Sequence, residues 1–280
     1  MPYVTRDDGV KIYWEEAWKE ADVLPPSSAA SPAVEHPLLL IMGLGATLAW
    51  WWRLIPLLSS RFRTIVYDNR GVGRSDVPSG PYAIPAMAED AVAVMDAAGI
   101  ASAHVFGASM GGMIAQELAL THPSRVRSLV LGCTACGGRQ SVPARKEVGA
   151  ALGARANMTR EEAMWVMAPY IFDAGTAREV VAEDIAVRLG ATVTNDGYFA
   201  QLAAVRAWSG THDRLPGITM PTLVIHGETD ELVPPENGRI IAKAIPGSRL
   251  VMIPRASHIF FTDQFQASSA ALLSFLDSLM

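Results

Sequence analysis

Leu38 to Met42 is a continuous apolar run, and short, mainly apolar segments repeat the theme at Thr64 to Tyr67, His104 to Phe106, Arg127 to Leu131, Thr222 to His226 and Leu250 to Ile253. A strand covered on both faces reads in this way, because neither side of its pleat meets water. Between the runs the apolar positions change to helical spacing, as from Met110 to Leu120. Near the start, Tyr3 to Val4 and Lys11 to Ala17 read as a hairpin turning at Asp7-Asp8-Gly9. The small, proline-rich stretch Leu24 to Pro32 reads as a connecting loop. Strands alternating with helices predict an α/β fold: a parallel sheet with helices on both faces and functional residues on loops at the strands' carboxyl ends.

From Ala135 to about Pro216 the strand signal stops and helical signals replace it. Thr159-Arg160-Glu161-Glu162 and Thr176-Ala177-Arg178-Glu179 both fit a capping box, in which threonine and glutamate satisfy free N–H groups at a helix start. The segment is rich in bulky residues, among them Met158, Met164, Trp165, Met167, Tyr170, Phe172, Tyr198, Phe199 and Trp208. Most of these are expected in the core. Met164, Trp165, Tyr170, Tyr198 and Trp208 are candidates for lining a pocket.

The chemistry-bearing signal is Gly107-Ala108-Ser109-Met110-Gly111, set where a predicted strand meets a predicted helix. Such a turn strains the serine backbone and leaves no room for side chains two residues to either side, which glycine satisfies. The helix then aims free N–H groups at negative charge forming beside the hydroxyl. Ser109 is therefore the candidate nucleophile. It needs a base and a carboxylate to orient that base, and both are expected after later strands.

Two late strands run into suitable turns. Thr222 to His226 leads to Asp230, and Leu250 to Ile253 leads to His258. The chain order Ser, Asp, His is the one this architecture uses. Glu228 and Glu231 are competing acids, and Asp230 taken alone is also a turn former. Among the other histidines, His36 sits in a predicted loop, His104 and His226 within strands, His122 at a helix end and His212 at the end of the helical segment. The oxyanion of a tetrahedral intermediate requires two donors. The expected pair is the N–H of Met110, at the helix start, and that of Leu44, in the close-approaching Gly43-Leu44-Gly45 loop. Of Trp50, Trp51 and Trp52, one or two are expected to reach the site, and the rest to pack on the sheet.

Composition narrows the partners. The 280 residues are 50% hydrophobic, enough for a large buried core, and the net charge of −5 comes without a lysine or arginine run. Nucleic acid is an unexpected partner on that footing. The start of the chain carries no signal-like apolar stretch, and no apolar run is long enough to span a bilayer, so a cytoplasmic protein without a membrane partner is expected. Cys133 and Cys136 form a lone C-x-x-C with no second pair. A buried structural thiol at Cys133 is expected rather than a metal or redox site.

Together the elbow around Ser109, the late Asp230 and the final His258 resemble the α/β-hydrolase superfamily over nearly the whole chain. Tyr67-Asp68-Asn69-Arg70-Gly71-Val72-Gly73-Arg74-Ser75-Asp76 is similar to a loop common in that superfamily's esterases, lactonases and cofactor-free haloperoxidases, where it is mainly structural. Met42-Gly43 departs from a frequent His-Gly before the oxyanion loop, and Ser257-His258 from a frequent Gly-His. The resemblance implies a mostly parallel eight-stranded sheet, with a core from residues 1–134 and 216–280 and a helical cap from residues 135–215. It implies a carboxylic ester hydrolase, needing no cofactor or metal, that takes a small-molecule ester or lactone. The apolar helical segment favours a small to medium hydrophobic acyl or alcohol group over a charged one, since no arginine cluster in the sequence marks a carboxylate or phosphate clamp. C–C bond hydrolysis or perhydrolysis on the same triad is an alternative, as is a non-catalytic ligand-binding protein of this fold. The oligomeric state is left open, a homo-oligomer included.

Overall fold

A computed structural model describes residues 2–17 and 36–280. The connecting loop expected at Leu24 to Pro32 lies outside the described residues. In chain order come β1 (Tyr3–Thr5), β2 (Lys11–Ala17), β3 (Pro37–Ile41), α1 (Ile55–Leu58), β4 (Arg63–Tyr67), α2 (Ile84–Ala97), β5 (Ala103–Ala108), α3 (Met110–Thr121) and β6 (Val126–Gly132). Four helices follow without a strand: α4 (Lys146–Ala154), α5 (Arg160–Ile171), α6 (Arg178–Leu189) and α7 (Asn195–Ala207). The chain closes with β7 (Thr222–Gly227), α8 (Glu236–Ala244), β8 (Arg249–Ile253), α9 (Phe260–Asp263) and α10 (Phe265–Asp277).

The eight strands form a sheet ordered β1-β2-β4-β3-β5-β6-β7-β8. Pairing is antiparallel for β1 with β2 and β2 with β4, and parallel from β4 through β8. Its central strands explain the uninterrupted apolar runs. Leu39 and Ile41 face a layer built from α2, α3 and α8, while Leu38 and Leu40 face the opposite layer with α1 and α10. Successive residues point to opposite faces, so a sheet covered twice needs apolar side chains at every position. Parallel pairing puts the carboxyl ends of β3, β5, β6, β7 and β8 along one edge, where Ser109, Asp230 and His258 all follow their strands.

Local signals differ in how they play out between β6 and β7. Thr159 makes the predicted capping box: its hydroxyl accepts from the Glu162 N–H, while the Glu162 carboxylate accepts from the Thr159 N–H at 2.8 Å. The second box does not form. Helix α6 starts at Arg178 with Ala177 at its cap, and the Thr176 hydroxyl instead donates to Asp263 Oδ1 at 2.6 Å. A tertiary carboxylate outcompetes the local turn for that hydroxyl. Among the described residues no helix is long and apolar enough to cross a membrane.

Candidate active site

Ser109 sits between β5 and α3 with φ 57° and ψ −123°, a region that a residue with a Cβ rarely adopts. The flanking glycines allow it. A Cβ on Gly107 would stand 2.2 Å from the Gly111 carbonyl oxygen, and one on Gly111 only 2.0 Å from that of Ile41. The two positions are thus closed to any larger residue. Ser109 O accepts from the Gly112 N–H at 2.9 Å, opening the helix, and from the Thr134 hydroxyl at 2.7 Å, tying the turn to the end of β6.

On the loop after β7, the Asp230 carboxylate is buried and saturated. Its Oδ1 accepts from the N–H groups of Leu232 (2.9 Å) and Val233 (2.8 Å). Its Oδ2 takes His258 Nδ1 at 2.8 Å, and His226 Nε2 lies 3.2 Å away. Burial pushes the Asp230 carboxyl up, but the charge of His258 and the bond from His226 outweigh it and hold the group below the ordinary carboxylate value. For His258 burial works against the charged ring. The Asp230 charge overrides it, with a contribution from the neighbouring Cys133 thiol, and lifts the imidazole well above 6.5. The competing acids lie elsewhere: Glu228 is exposed, and Glu231 pairs with Arg145 at the surface.

Two neighbours of this pair escaped sequence reasoning. His226, next to last in β7, is fully buried, with Nε2 also 2.8 Å from the Val233 carbonyl. Facing a carbonyl and a carboxylate, Nε2 must carry the proton, so the ring is a donor that braces Asp230. The i, i+4 spacing of His226 and Asp230 across the turn was the available signal. Cys133 is buried as expected, yet it lines the cavity beside His258 and adopts φ 42°.

The Gly43-Leu44-Gly45 loop reaches Ser109. A Cβ on Gly43 would lie 2.9 Å from Ser109 Cβ and 3.3 Å from its Oγ. The Gly45 N–H is taken by Gln201 Oε1 at 2.8 Å, which pins the loop to α7 and leaves the Leu44 N–H as the neighbouring donor. Met110 is the first residue of α3, so its N–H has no partner within the helix. Asp68 is not part of the site. It accepts from the N–H groups of Leu48 (2.8 Å) and Arg74 (2.9 Å), while Arg70 grips Asp90 with two bonds of 2.6 and 2.7 Å. That loop is bracing.

Ser109, His258, Leu44 and Met110 line a cavity of about 610 Å³ enclosed by the sheet edge and α4–α7. Of the pocket candidates, Met164, Tyr198 and Trp208 reach it; Trp165 and Tyr170 do not. The Trp165 ring instead lies under the Arg178 guanidinium, 4.5 Å from its centre, and Tyr170 is half-buried on α5. Trp50 reaches the cavity, Trp51 packs against Phe106, and Trp52 donates to Asp184. The wall is mainly apolar, but on it the fold gathers arginines that form no cluster in the sequence. Arg155, Arg188 and Arg206 all line it, drawn from α6, α7 and the turn after α4, and no carboxylate does among the described residues.

Residues 36–265 match the family model described as the alpha/beta hydrolase fold. A poly(3-hydroxyalkanoate) depolymerase from Ectopseudomonas oleovorans is 31% identical over 254 residues, covering 89% of this chain and 88% of that protein. A 3-oxoadipate enol-lactonase 2 from Acinetobacter baylyi is 30% identical, covering 93% of this chain and 96% of its own. Among solved structures, the enol-lactonase from Burkholderia xenovorans LB400 superposes with a TM-score of 0.82 at 28% identity, covering 99% of this chain and 100% of that one.

Proposed function

Since the chain belongs to the α/β-hydrolase family, we propose that it is a serine hydrolase cleaving a carboxylic ester or lactone through an acyl-enzyme on Ser109. The observation that carries the reading is the Asp230–His258 hydrogen bond of 2.8 Å, with His258 opening onto the same cavity as the strained Ser109. In this reading the Ser109 hydroxyl attacks the substrate carbonyl carbon while His258 Nε2 accepts its proton. Asp230 holds the His258 Nδ1–H and stabilises the imidazolium. The oxyanion accepts from the N–H groups of Leu44 and Met110, each worth about 3 kcal/mol in the barrier. Collapse breaks the C–O bond, and His258 returns the proton to the departing alkoxide. Water, deprotonated by His258, then attacks the acyl-enzyme and releases the acid. No step requires a cofactor.

Helices α4–α7 serve as the cap, and the substrate lies between them and the sheet edge. The enol-lactonase names among the relatives favour a lactone as the natural bond. The test is turnover of p-nitrophenyl acetate, butyrate and octanoate by the wild type and Ser109→Ala, together with fluorophosphonate labelling. Chain-length-dependent turnover, lost in Ser109→Ala and matched by a label on Ser109, supports the acyl-enzyme. Folded wild type with neither label nor turnover refutes it.

A further inference from the structure

Arg188 is an expensive residue to bury for packing alone. It is 2% exposed, on α6, and it lines the cavity that holds Ser109. Its guanidinium lies over two rings, 3.9 Å from the centre of Trp50 and 5.3 Å from that of Phe172. A guanidinium carries five N–H donors. Here Nη2 donates to Asp184 Oδ2 at 2.6 Å, while Nε is buried without a hydrogen-bond partner. Asp184 cannot take up the rest, for it already accepts from Thr262 Oγ1 (2.9 Å), Trp52 Nε1 (2.9 Å) and Arg53 Nε (3.3 Å). Beside Arg188, the indole N–H of Trp50, which also lines the cavity, is likewise buried and unpaired.

Unused buried donors on a permanent cation mark a place where an acceptor completes the structure. Burial pulls the Arg188 pKa down only to about 10, so the group stays charged at neutral pH. The bond to Asp184 aside, no acid lies on the wall among the described residues: Arg155 and Arg206 add positive charge, and the Arg155 Nε is a further buried donor without a partner. Resting on the hydrolase reading above, we propose that this cavity takes ester or lactone substrates carrying a free carboxylate, which docks on Arg188. The carboxylate is planar and singly charged, which suits a guanidinium fork set over two aromatic rings in an otherwise apolar cavity. The body of the substrate remains apolar, and the anionic end fixes which carbonyl meets Ser109.

Calorimetry on the Ser109→Ala protein tests the proposal without depending on turnover. Monomethyl glutarate, an anion, and dimethyl glutarate, its neutral counterpart, are titrated separately. The anion is expected to bind about tenfold to hundredfold more tightly, the worth of charge-assisted hydrogen bonds in a desolvated site. Ser109→Ala/Arg188→Gln is expected to lose that preference, and Ser109→Ala/Arg155→Gln to keep most of it. Equal or tighter binding of the dimethyl ester to the Ser109→Ala protein overturns the proposal before any arginine is changed, which covers an Arg188→Gln protein that fails to fold. A preference that survives in Arg188→Gln, or vanishes only in Arg155→Gln, also overturns it. Wild type that binds the anion but neither hydrolyses esters nor takes the fluorophosphonate label would sink the hydrolase reading and leave the docking site standing.

Discussion

Replacing Asp230 by asparagine separates orientation of the base from everything else in the site. The Leu232 and Val233 N–H groups point at Oδ1 and require an acceptor there, so the asparagine oxygen takes that position. The amide nitrogen then occupies the place of Oδ2, 2.8 Å from His258 Nδ1. Being a donor, it can be satisfied only if Nδ1 gives up its hydrogen, which moves the ring proton to Nε2 and removes the acceptor that the Ser109 hydroxyl needs. A misplaced proton of this kind costs about 10⁴-fold in kcat, or roughly 5.5 kcal/mol of barrier. The fold should survive, since three of the four polar contacts to the carboxylate keep their geometry. Steady-state kinetics with p-nitrophenyl butyrate, a melting curve and the rate of fluorophosphonate labelling measure all three quantities. A folded Asp230→Asn enzyme within tenfold of wild type would refute the assignment. It would do so most sharply if Glu228→Gln or Glu231→Gln were the variant that lost activity.

Other perturbations test neighbouring parts of the structure. Because Asp230 raises the His258 pKa, the base stays protonated past the ordinary value; kcat/KM should rise with pH along a limb centred above 6.5, and a limb centred below 6.5 would contradict the influence of the Asp230 charge on the ring. His104 is buried and its pKa is lowered to about 4, first by burial and then by Arg127 and His36, so the fold holds the neutral ring while the unfolded chain takes up a proton below 6.5. Its contribution to stability is therefore complete above pH 6.5 and is lost as pH falls toward 4, by about 3 kcal/mol there; urea unfolding should show this loss, and His104→Gln should flatten it. Gly111→Ala would drive a Cβ to 2.0 Å from the Ile41 carbonyl and 2.8 Å from that of Met42, both backbone atoms, so β3 and the Leu44 loop must shift. We expect at least about 3 kcal/mol of destabilisation and slowed labelling of Ser109, and a variant with wild-type melting would refute the close-packing argument.

The parts of the molecule that sequence reasoning reached are those written in neighbouring residues. The strands from Leu38 to Ile253 announce themselves because a doubly covered strand must be apolar throughout, and the structure shifts their ends by only a residue or two. The turn at Ser109 is legible because its strain demands Gly107 and Gly111 within four positions. Asp230 and His258 each follow a strand whose direction sets the edge they reach. Thr176 shows the limit: its capping motif is sound locally, and a carboxylate from α9, far along the chain, claims the hydroxyl. The same limit applies to Trp165, whose size suggested the pocket but whose ring is held under the Arg178 guanidinium of α6.

The charge of the cavity lies wholly beyond that limit. Arg155, Arg188 and Arg206 are spaced 33 and 18 residues apart, and nothing in that spacing groups them. Only the folding of α4–α7 over the sheet edge turns them toward one volume, and only burial distinguishes Arg188 from the others. This division follows from what each part must do. In the proposed mechanism Ser109, His258 and Asp230 need angstrom-level placement, and they sit where rigid strands end and backbone geometry leaves a mark in the sequence. Substrate selection needs a surface of the right polarity, which helices supply with single side chains at no fixed spacing. For this chain the bond to be broken is thus argued from local pattern, while the charge of the molecule that carries it rests on a buried guanidinium with an unfilled N–H.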